Sequence, residues 1–204
     1  MDIVLLSGII ILNIFIFIAI LFGLSILISK NDIKKKVMRK KKNQDTNLSF
    51  IRSLTSTLLR LSESKIGAII VIENKDSLEE YINIGYKILA SFSPELVVSM
   101  LFNKHSPLHD GAIIVRDTEI VSVSSYLPIT SQVLNVGYGA RHRAAYGLSE
   151  KTDSHCFVVS ETSGNISYFK KGKLTLLSTQ YKDDTLDFIK NVLLENNKAK
   201  QNVN

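Results

Sequence analysis

The N-terminal segment from Ile3 to Ser29 contains no charged residue, and most of its 27 positions are Ile, Leu, Phe or Val. A helix of about 20 apolar residues is long enough to cross a bilayer. A cleaved signal peptide typically has a basic start and a shorter apolar region, whereas here Asp2 precedes a longer run. A core helix that is apolar on all sides is hard to bury in so small a protein. We therefore predict an uncleaved transmembrane helix over residues 1–29.

A basic cluster follows this segment directly. Eight Lys and Arg residues stand between Lys30 and Lys42, against the single acid Asp32. Because cytoplasmic flanks of membrane helices are enriched in Lys and Arg, this flank is predicted to stay in the cytoplasm. It can also attract anionic lipid headgroups. The sequence thus predicts a single-pass protein of the cell membrane, with a basic juxtamembrane linker over residues 30–47 and a cytoplasmic domain after it.

The remainder of the chain is formally neutral, with 17 basic and 17 acidic residues from Asn43 to Asn204. The net charge of +6 therefore reflects the membrane flank and gives no support for nucleic-acid binding. Cys156 is the only cysteine, which excludes an intrachain disulfide and agrees with a reducing compartment. We interpret Cys156 as a small core residue. His105 and His155 have no ligand-like neighbours and are interpreted as surface or turn residues.

Apolar residues recur at helical spacing just after the linker, at Leu48, Ile51, Leu54, Leu58 and Leu61. This pattern predicts an amphipathic helix that packs on the core of its own domain. A dimerising coiled coil is the alternative, but two heptads are too few to indicate one. Further helices are predicted at 77–83 with a Ser-Leu-Glu-Glu capping box, at 94–102 after the N-cap Ser93, at 141–151 and at 183–196.

Apolar runs bounded by polar residues predict the strands. Residues 66–72 are typical of a strand buried on both faces. Residues 112–115 and 119–126 predict a hairpin around Asp117-Thr118, which Leu127-Pro128 ends because proline cannot join a central ladder. Shorter strands are predicted at 86–89, 155–160, 166–170 and 174–177. Strands mixed with helices indicate an α/β domain around one central sheet.

A short polar cluster, Pro107–Ala112, lies between two apolar runs. His109 and Asp110 offer the imidazole and oxygen donors that suit Mg²⁺ or Mn²⁺, and Asp110 can instead take a proton from an attacking hydroxyl. Gly111 suits a position where a ligand approaches the backbone. An ordinary turn is the alternative, because Asp-Gly is a common turn dipeptide.

A second cluster, residues 137–140, leads into a predicted helix that begins Arg141-His142-Arg143. A glycine-containing loop before a helix N-terminus attracts phosphate, and guanidinium groups strengthen such a site. Two cations at this position are unfavourable without an anion, because the helix dipole is positive there. The alternative is that the arginines pair with acids such as Glu150 or Glu161. Together, the two clusters favour phosphoryl or nucleotidyl transfer.

Three segments carry a resemblance to a known family. Pro107–Ala112, residues 141–150, and residues 158–161 with Gly164 resemble, in order and spacing, the diadenylate cyclase (DAC) domain, over about residues 66–177. The single predicted span is similar to that of the membrane-bound CdaM-type cyclic di-AMP synthases. The resemblance implies a central mixed β-sheet flanked by helices. We place this catalytic domain at residues 48–197.

The resemblance also implies an activity. Two ATP molecules condense into cyclic 3′,5′-di-AMP with release of two pyrophosphates, and Mg²⁺ or Mn²⁺ is the implied cofactor. Each protomer of a homodimer is implied to bind one ATP, so that each 3′-hydroxyl attacks the α-phosphate on the other protomer. The chain beyond this domain, residues 198–204, is polar and is predicted to be a disordered tail.

Roles for individual residues follow from the same resemblance. Asp110, with Gly111 and Ala112, is implied to act at the 3′-hydroxyl or the metal, and His109 is implied to be a metal ligand. The implied phosphate-binding residues are Gly139, Arg141, His142 and Arg143. The implied adenine and ribose pocket contains Tyr126, Leu127, Pro128, Ser160 and Glu161.

Two positions depart from the family pattern. Ala140 stands where members often have Thr, so one hydroxyl contact to the nucleotide is missing. Thr162 stands where members often have a second acid, which is a candidate metal ligand. These departures motivate an alternative, a membrane-tethered nucleotide sensor without turnover. A purely structural membrane-anchored interaction domain is a third hypothesis. The sequence identifies no regulatory partner.

Overall fold

A computed structural model gives the fold of this chain and describes residue 38, residues 44–132 and residues 138–201. The predicted transmembrane helix over residues 1–29 and most of the basic linker lie outside the described residues. Within the described part, no helix is both long and apolar enough to cross a bilayer. The chain from Asn47 to Asn204 forms one compact unit, and this unit contains the β-sheet.

Seven strands form this sheet. They are β1 (Ala68–Ile72), β2 (Tyr86–Ser91), β3 (Ala112–Arg116), β4 (Glu119–Ser125), β5 (His155–Val159), β6 (Ile166–Lys170) and β7 (Lys173–Leu177). Their order across the sheet is β2-β4-β3-β1-β5-β6-β7. β1 and β3 run parallel, and the other neighbouring strands run antiparallel. The expectation of a central mixed sheet is confirmed.

Helices cover both faces of the sheet. They are α1 (44–63), α2 (Glu79–Ile84), α3 (Pro94–Phe102), α4 (Ala140–Lys151) and α5 (Lys182–Gln201), with a short 3-10 helix at Pro107–His109. Apolar side chains of α1, α3 and α5 pack in one core cluster, and those of α2 and α4 pack in a second cluster. This arrangement confirms the α/β architecture.

β1 explains how two clusters form on opposite faces. Ala68, Ile70 and Ile72 belong to the cluster that contains α1, whereas Ile69 and Val71 belong to the cluster that contains α2. Successive strand residues point to opposite faces, so a strand that is apolar at every position is buried on both. All five residues are buried. The strand predicted from the continuous apolar run is therefore confirmed.

The apolar stripe of α1 packs on the core of its own domain. Ile51, Leu54, Leu58 and Leu61 are almost completely buried there. Burial of one such side chain contributes roughly 1.5–3 kcal/mol, so α1 is an integral part of the fold. This packing agrees with the favoured interpretation, in which the helix packs on its own domain and does not form a coiled coil.

Turn and capping signals correctly predicted the β3–β4 hairpin and α3. Asp117 has φ of 56° in the hairpin loop, a conformation that Asp tolerates better than most residues. Ser93 caps α3, because its side-chain oxygen accepts a hydrogen bond from the Leu96 N–H at 3.2 Å. Cys156 is fully buried, as predicted, and burial raises the pKa of its thiol to about 12.

Two local predictions are wrong. The capping box fails because Leu78, not Ser77, is the N-cap of α2 and makes no side-chain cap hydrogen bond. The Leu78 N–H donates to Glu73 Oε2 at 3.2 Å. The helix begins at Glu79, one residue later than the capping box predicts. In addition, α5 continues to Gln201, so residues 198–201 of the predicted tail are helical.

His155 is also a correction, because it is buried rather than at the surface. Its exposed fraction is 2%. The Lys170 ammonium donates to His155 Nε2 at 3.0 Å, so Nδ1 carries the proton and lies 2.7 Å from the Tyr168 hydroxyl. Both partners come from β6. The residues next to His155 in the sequence do not indicate which strand pairs with it, so its burial was not predictable from them. His105 is exposed, as predicted.

Candidate active site

The predicted site residues meet at one end of the sheet. The register pairs Ile70 with Ile113, Ala68 with Val159 and Ala112 with Ser125. The starts of β1 and β3 and the ends of β4 and β5 therefore lie side by side. We call this edge the site end, because the residues that precede β3 and follow β4 and β5 converge on it.

His109 is oriented by the turn that precedes it. Its Nδ1 lies 2.7 Å from the Ser106 carbonyl oxygen. A carbonyl only accepts hydrogen bonds, so Nδ1 carries a proton, and Nε2 is the nitrogen with the lone pair in the neutral imidazole. Ser106 also caps the 3-10 helix by accepting from the Leu108 N–H at 3.2 Å. The turn thus presents His109 Nε2 as a fixed acceptor or metal ligand.

Asp110 and Gly111 form the bend between the 3-10 helix and β3. The Gly111 N–H donates to Asp110 Oδ1 at 3.0 Å, and the Asp110 side chain is exposed. Gly111 has φ of +80°, and an added Cβ would lie 2.7 Å from the Ser124 carbonyl carbon. A glycine is required here because any side chain would be strained and would collide with β4. In the described part of the chain no group donates to Asp110 Oδ2, so the bend leaves this oxygen open to a ligand.

A cleft of about 400 Å³ contains these residues and is named the Asp110 cleft. Tyr126 borders it and is 63% exposed. An exposed aromatic ring beside polar groups suits a base or another flat ring. The cleft is lined by Ile84, Tyr86, Lys104, His105, Ser106, Pro107, His109, Asp110, Ser124 and Tyr126.

A second cleft, of about 220 Å³, lies at the N-terminus of α4 and is named the Arg141 cleft. Gly139 is the N-cap and has no side-chain cap, and an added Cβ on Gly139 would meet no atom of the described residues within 4 Å. Backbone N–H groups at such a terminus attract anions. The cleft is lined by Gly139, Ala140, Arg141, His142, Val159, Ser160, Glu161 and Thr162.

Glu161 connects the two clefts. Its Oε2 accepts from Arg141 Nη1 at 3.0 Å, and its Oε1 accepts from Lys104 Nζ at 2.5 Å. These cations, Lys104 first and then Arg141, lower the pKa of Glu161 below its usual value. The alternative that Arg141 pairs with Glu161 is therefore realised. Glu150 has a different role, because it accepts from the Thr130 hydroxyl at 2.8 Å and from the Gln132 side chain at 2.7 Å.

The three residues that open α4 differ in exposure. His142 is buried, with its ring centroid 4.8 Å from that of Tyr138 and 6.2 Å from that of Phe169. Burial, and then the charge of Arg141, lower the pKa of His142, so the imidazole is neutral at pH 7. Arg143 is exposed and is not among the described residues that line either cleft. Arg141 is thus the cation that reaches the site from α4.

The described residues separate the predicted adenine pocket into parts. Tyr126 lines the Asp110 cleft, and Ser160 and Glu161 line the Arg141 cleft. Leu127 packs against the core cluster of α2 and α4. The Pro128 carbonyl approaches α4 so closely that a Cβ on Gly147 would lie 2.3 Å from its oxygen. Leu127 and Pro128 therefore hold the segment after β4 against α4.

Comparison with known proteins identifies the family. Residues 55–174 match the family described as "DAC: DisA bacterial checkpoint controller nucleotide-binding", which is more than half of the chain. The chain belongs to the diadenylate cyclase family. The resemblance inferred from the sequence motifs is confirmed at this level.

Individual relatives agree with this assignment. The chain is 59% identical to the diadenylate cyclase of Mycoplasma pneumoniae over 138 residues, 68% of each protein. It is 35% identical to the cyclic di-AMP synthase CdaA of Bacillus subtilis, over 71% of this chain and 56% of that protein. The crystal structure of DacA from Staphylococcus aureus shares 34% identity and a TM-score of 0.64, over 69% of this chain and 93% of that one.

One further solved structure is that of a hypothetical membrane spanning protein from Bacillus cereus. It shares 40% identity and a TM-score of 0.59, over 62% of each chain. The TM-scores of these two structures extend the family assignment from sequence to fold.

The donors at the site end of this diadenylate cyclase domain fit a divalent cation in part. Among the described residues, no group of three or more His, Cys, Asp or Glu side chains is arranged to hold a metal. His109 Nε2 and the open oxygen of Asp110 provide two donors from adjacent residues. Mg²⁺ and Mn²⁺ commonly take one or two protein ligands and complete their shell with water and substrate phosphates. The residues present therefore fit a metal that arrives with a nucleotide.

Sequence reasoning missed two residues of this site. An added Cβ on Gly67 would lie 2.7 Å from Arg141 Nη1, so the guanidinium lies directly over the start of β1. A glycine inside an apolar strand pattern is a known signal of such close approach. Lys104 has no comparable signal, because a single lysine in a polar turn is unremarkable in sequence. Its pairing with Glu161 depends on the fold.

Proposed function

We propose that the chain is a diadenylate cyclase, which condenses two ATP molecules into cyclic di-AMP and releases two pyrophosphates. The observation that carries the proposal is the convergence of Asp110, His109 and Arg141 on one end of the sheet in a member of this family. An acid with an open oxygen and a cation at a helix N-terminus are the groups that nucleotidyl transfer requires.

Asp110 acts at the attacking hydroxyl. Its carboxylate takes the proton of the ATP 3′-hydroxyl, and the 3′-oxygen forms a bond with the α-phosphorus of the second ATP. The bond between that phosphorus and the bridging oxygen of the β-phosphate breaks, and pyrophosphate leaves. General-base catalysis of this kind contributes about 10²–10⁴-fold to a rate.

Arg141 and the backbone of Gly139 hold the phosphates in this proposal. The guanidinium and the N–H groups at the start of α4 offset negative charge as it develops on the phosphates. His142 adds a neutral imidazole at the same helix end, and Arg143 adds long-range positive charge. Contact of Tyr126 with adenine is also part of the proposal, and Leu127, Pro128 and Ser160 complete the pocket around the nucleoside.

His109 Nε2 and Asp110 are the residues proposed to hold Mg²⁺ or Mn²⁺. When bound, the divalent cation offsets phosphate charge and favours departure of pyrophosphate. The contact of His109 Nδ1 with the Ser106 carbonyl orients the ring, so that Nε2 is the nitrogen directed as a ligand.

A homodimer completes the reaction in this proposal. Each protomer binds one ATP, and two protomers face each other so that each 3′-hydroxyl meets the other α-phosphate. Exposed apolar side chains beside the Asp110 cleft, at Ile84, Tyr86 and Tyr126, provide a surface for such contact.

We further propose a single-pass membrane anchor of the CdaM type at residues 1–29, with a basic flank against the cytoplasmic leaflet. The uncharged apolar run and the eight basic residues after it support this anchor. The 40% identity to a membrane spanning protein from Bacillus cereus supports it as well.

The test uses the full chain in mild detergent with ATP and Mn²⁺, Mg²⁺ or Co²⁺, and chromatography of the products. We expect cyclic di-AMP and pyrophosphate. A folded, ATP-binding dimer that yields no product with any of these cations contradicts the proposal.

Dilution provides a second measurement. Because the proposed site needs two protomers, specific activity should fall as the protein is diluted through the monomer–dimer transition. A constant specific activity, measured across dilutions at which light scattering detects monomers, contradicts the two-protomer site.

A nucleotide sensor without turnover is a second candidate, and one observation favours it. Ala140 and Thr162, the two departures from the family pattern, both line the Arg141 cleft. The differences therefore fall on the proposed site rather than on a remote surface. Tight ATP binding without product, under the conditions given above, would support this candidate.

A further inference from the structure

We propose that Lys104 is a further substrate-binding residue, whose ammonium contacts the polyphosphate of the bound nucleoside triphosphate. Lys104 lies between α3 and the 3-10 helix and lines the Asp110 cleft. This inference rests on the proposed function, because it requires a nucleoside triphosphate at the site end of the sheet.

The backbone around Lys104 is fixed by its neighbours. The Asn103 side-chain oxygen accepts from the His105 N–H at 3.0 Å, and the Asn103 carbonyl accepts from the Ser106 N–H at 2.9 Å. Ser106 in turn holds His109. The Lys104 side chain therefore starts from a fixed point in the same turn that orients the proposed metal ligand.

Lys104 and Arg141 converge on one carboxylate from different parts of the chain. Lys104 Nζ is 2.5 Å from Glu161 Oε1, and Arg141 Nη1 is 3.0 Å from Glu161 Oε2. Two cations share one anion, so the group keeps a net positive charge. This charge lies between the Asp110 cleft and the Arg141 cleft, where a polyphosphate joins the nucleoside to the phosphate-holding helix.

The pairing with Glu161 is too exposed to be a strong structural contact. The Lys104 and Glu161 side chains are 65% and 43% exposed, and ion pairs of this kind contribute little to stability. Phosphate oxygens form stronger charge-assisted hydrogen bonds with a lysine ammonium. Glu161 thus keeps Lys104 and Arg141 close together in the free protein, and the phosphates replace its carboxylate when the nucleotide binds.

Binding of two probes to the full chain in mild detergent tests this contact. One probe is an ATP analogue with a methylene between the α- and β-phosphates, which cannot react, and the other is adenosine. By calorimetry, Lys104→Gln should bind the analogue about 10-fold more weakly, because a charged hydrogen bond is lost. Lys104→Arg should keep most of the affinity. Both variants should bind adenosine as the wild type does.

A matched control removes another exposed ion pair. Arg60 pairs with Glu95 at 3.0 Å, and their side chains are 49% and 74% exposed. Arg60→Gln therefore removes the same kind of contact away from both clefts. It should bind the analogue with wild-type affinity.

Glu161→Gln separates a phosphate contact from an indirect effect. Because Glu161 is also implied to line the nucleoside pocket, its effect is measured as the ratio of analogue affinity to adenosine affinity. If Lys104 binds phosphate, this ratio in Glu161→Gln should be at least that of the wild type, because two cations lose their competing carboxylate. An equal fall of the ratio in Glu161→Gln and Lys104→Gln would mean that Lys104 acts only through Glu161, and the inference would be overturned. Unchanged affinity in Lys104→Gln overturns it as well.

The outcome for the proposed function is separate. A wild-type chain that makes cyclic di-AMP while Lys104→Gln binds the analogue normally overturns only the role of Lys104. A wild-type chain that binds neither the analogue nor ATP overturns both the role of Lys104 and the proposed function. Far-ultraviolet circular dichroism of each variant checks that it is folded.

Discussion

The two ends of the central sheet use acidic and basic side chains in opposite ways. At the end opposite to the site, hydrogen bonds within the fold occupy the acidic side chains. Asp153 accepts hydrogen bonds from the Lys75 N–H at 3.1 Å, the Asp76 N–H at 3.0 Å and the Asn74 side chain at 2.7 Å. These contacts tie the segment after β1 to the segment before β5. Asp153 is therefore a structural residue.

At the same far end, carboxylates of the fold occupy the donors of an arginine. Arg116 donates to Glu73 at 2.8 and 3.0 Å and to Glu79 at 3.1 Å. Glu73 also accepts from the Leu78 N–H. Hydrogen bonds that Arg116 donates to Glu73, and then to Glu79, raise the pKa of Arg116 above its usual value. This network connects the end of β3 with the start of α2 and leaves little capacity for a ligand.

At the site end, charged side chains keep hydrogen-bonding groups that the fold does not use. Among the described residues, the Asp110 carboxylate accepts only from its neighbour Gly111 at 3.0 Å. Arg141 Nε is buried without a hydrogen-bond partner in the described part of the chain. An acid that the protein has saturated stabilises the fold, whereas one with an open oxygen can serve a ligand. Residue type alone does not distinguish the two ends, but the surrounding donors do.

The largest effect predicted by this comparison is on catalysis. Asp110→Asn should lower the rate of cyclic di-AMP formation about 10²–10⁴-fold, because the amide cannot take the proton of the 3′-hydroxyl. The melting temperature should not change, since the fold does not depend on the open oxygen. Asp117→Asn in the β3–β4 loop is the matched control, and it should leave both quantities unchanged. A large drop in the melting temperature of Asp110→Asn would contradict the contrast between the two ends.

A smaller effect is predicted for Gly67→Ala. The new Cβ would lie 2.7 Å from Arg141 Nη1, so the guanidinium must move away from the start of β1. Displacement of a positioning group by a fraction of an ångström should lower kcat/KM about 10-fold or more. Stability should change less than activity, because the Arg141 guanidinium is a flexible side-chain end and the Glu161 Cβ, 3.1 Å from the new Cβ, must shift only slightly.

Gly139→Ala is the comparison for this variant. Among the described residues, an added Cβ at Gly139 meets no atom within 4 Å, so the melting temperature should fall only by the small amount expected for Ala at an N-cap. A larger drop in melting temperature would show that the space over Gly139 is filled. A fall in ATP affinity at unchanged stability would instead locate the phosphate at this backbone.

The smallest effect is predicted at the far end and concerns stability alone. Asp153→Asn should lower the free energy of unfolding by about 1–2 kcal/mol, because three N–H donors lose a charged acceptor. The rate of cyclic di-AMP formation should not change while the protein is folded. Chemical denaturation monitored by circular dichroism measures the first quantity, and the product assay measures the second. Loss of activity in the folded variant would contradict the structural role.

The stabilisation that the Asp153 carboxylate contributes depends on pH, and the direction of this dependence follows from its pKa. Burial opposes ionisation of Asp153, but the N–H groups of Asp76 and Lys75 outweigh it and lower its pKa below 3.8. A folded-state pKa below the unfolded value means that the stabilisation is present above about pH 4 and is lost as the pH falls through the lowered pKa. The stability difference between Asp153→Asn and the wild type should therefore shrink below about pH 4.

Much of the fold was predictable because its signals are local. Helix α3 matches its predicted bounds, since Ser93 and Pro94 mark its start. The run that forms β1 is apolar at every position, which indicates burial on both faces. The α2 capping box failed because the helix begins one residue later than predicted, with Leu78 as its N-cap, so that Ser77 Oγ accepts from the Glu79 N–H at 3.4 Å outside the cap position. Local patterns predict elements well and their exact caps less well.

The site was predictable in its motifs but not in its connections. Asp110 and Arg141 stand in motifs whose residue types indicate nucleotide chemistry, and the match to the diadenylate cyclase family agrees with them. Lys104 and Glu161 are 57 residues apart in the chain. No periodicity relates them, so their ion pair was not foreseen.

The sequence by itself determined the helices, the strands, the two polar motifs and the family, because these depend on spacing along the chain. Only the tertiary structure decided which charged groups form hydrogen bonds within the fold and which remain available to a ligand. The parallel pairing of β1 with β3 and the antiparallel pairing of β1 with β5 bring Asp110, Glu161 and Arg141 to one end of the sheet and Asp153 to the other. Strand register, which joins distant segments, is the physical reason for this division.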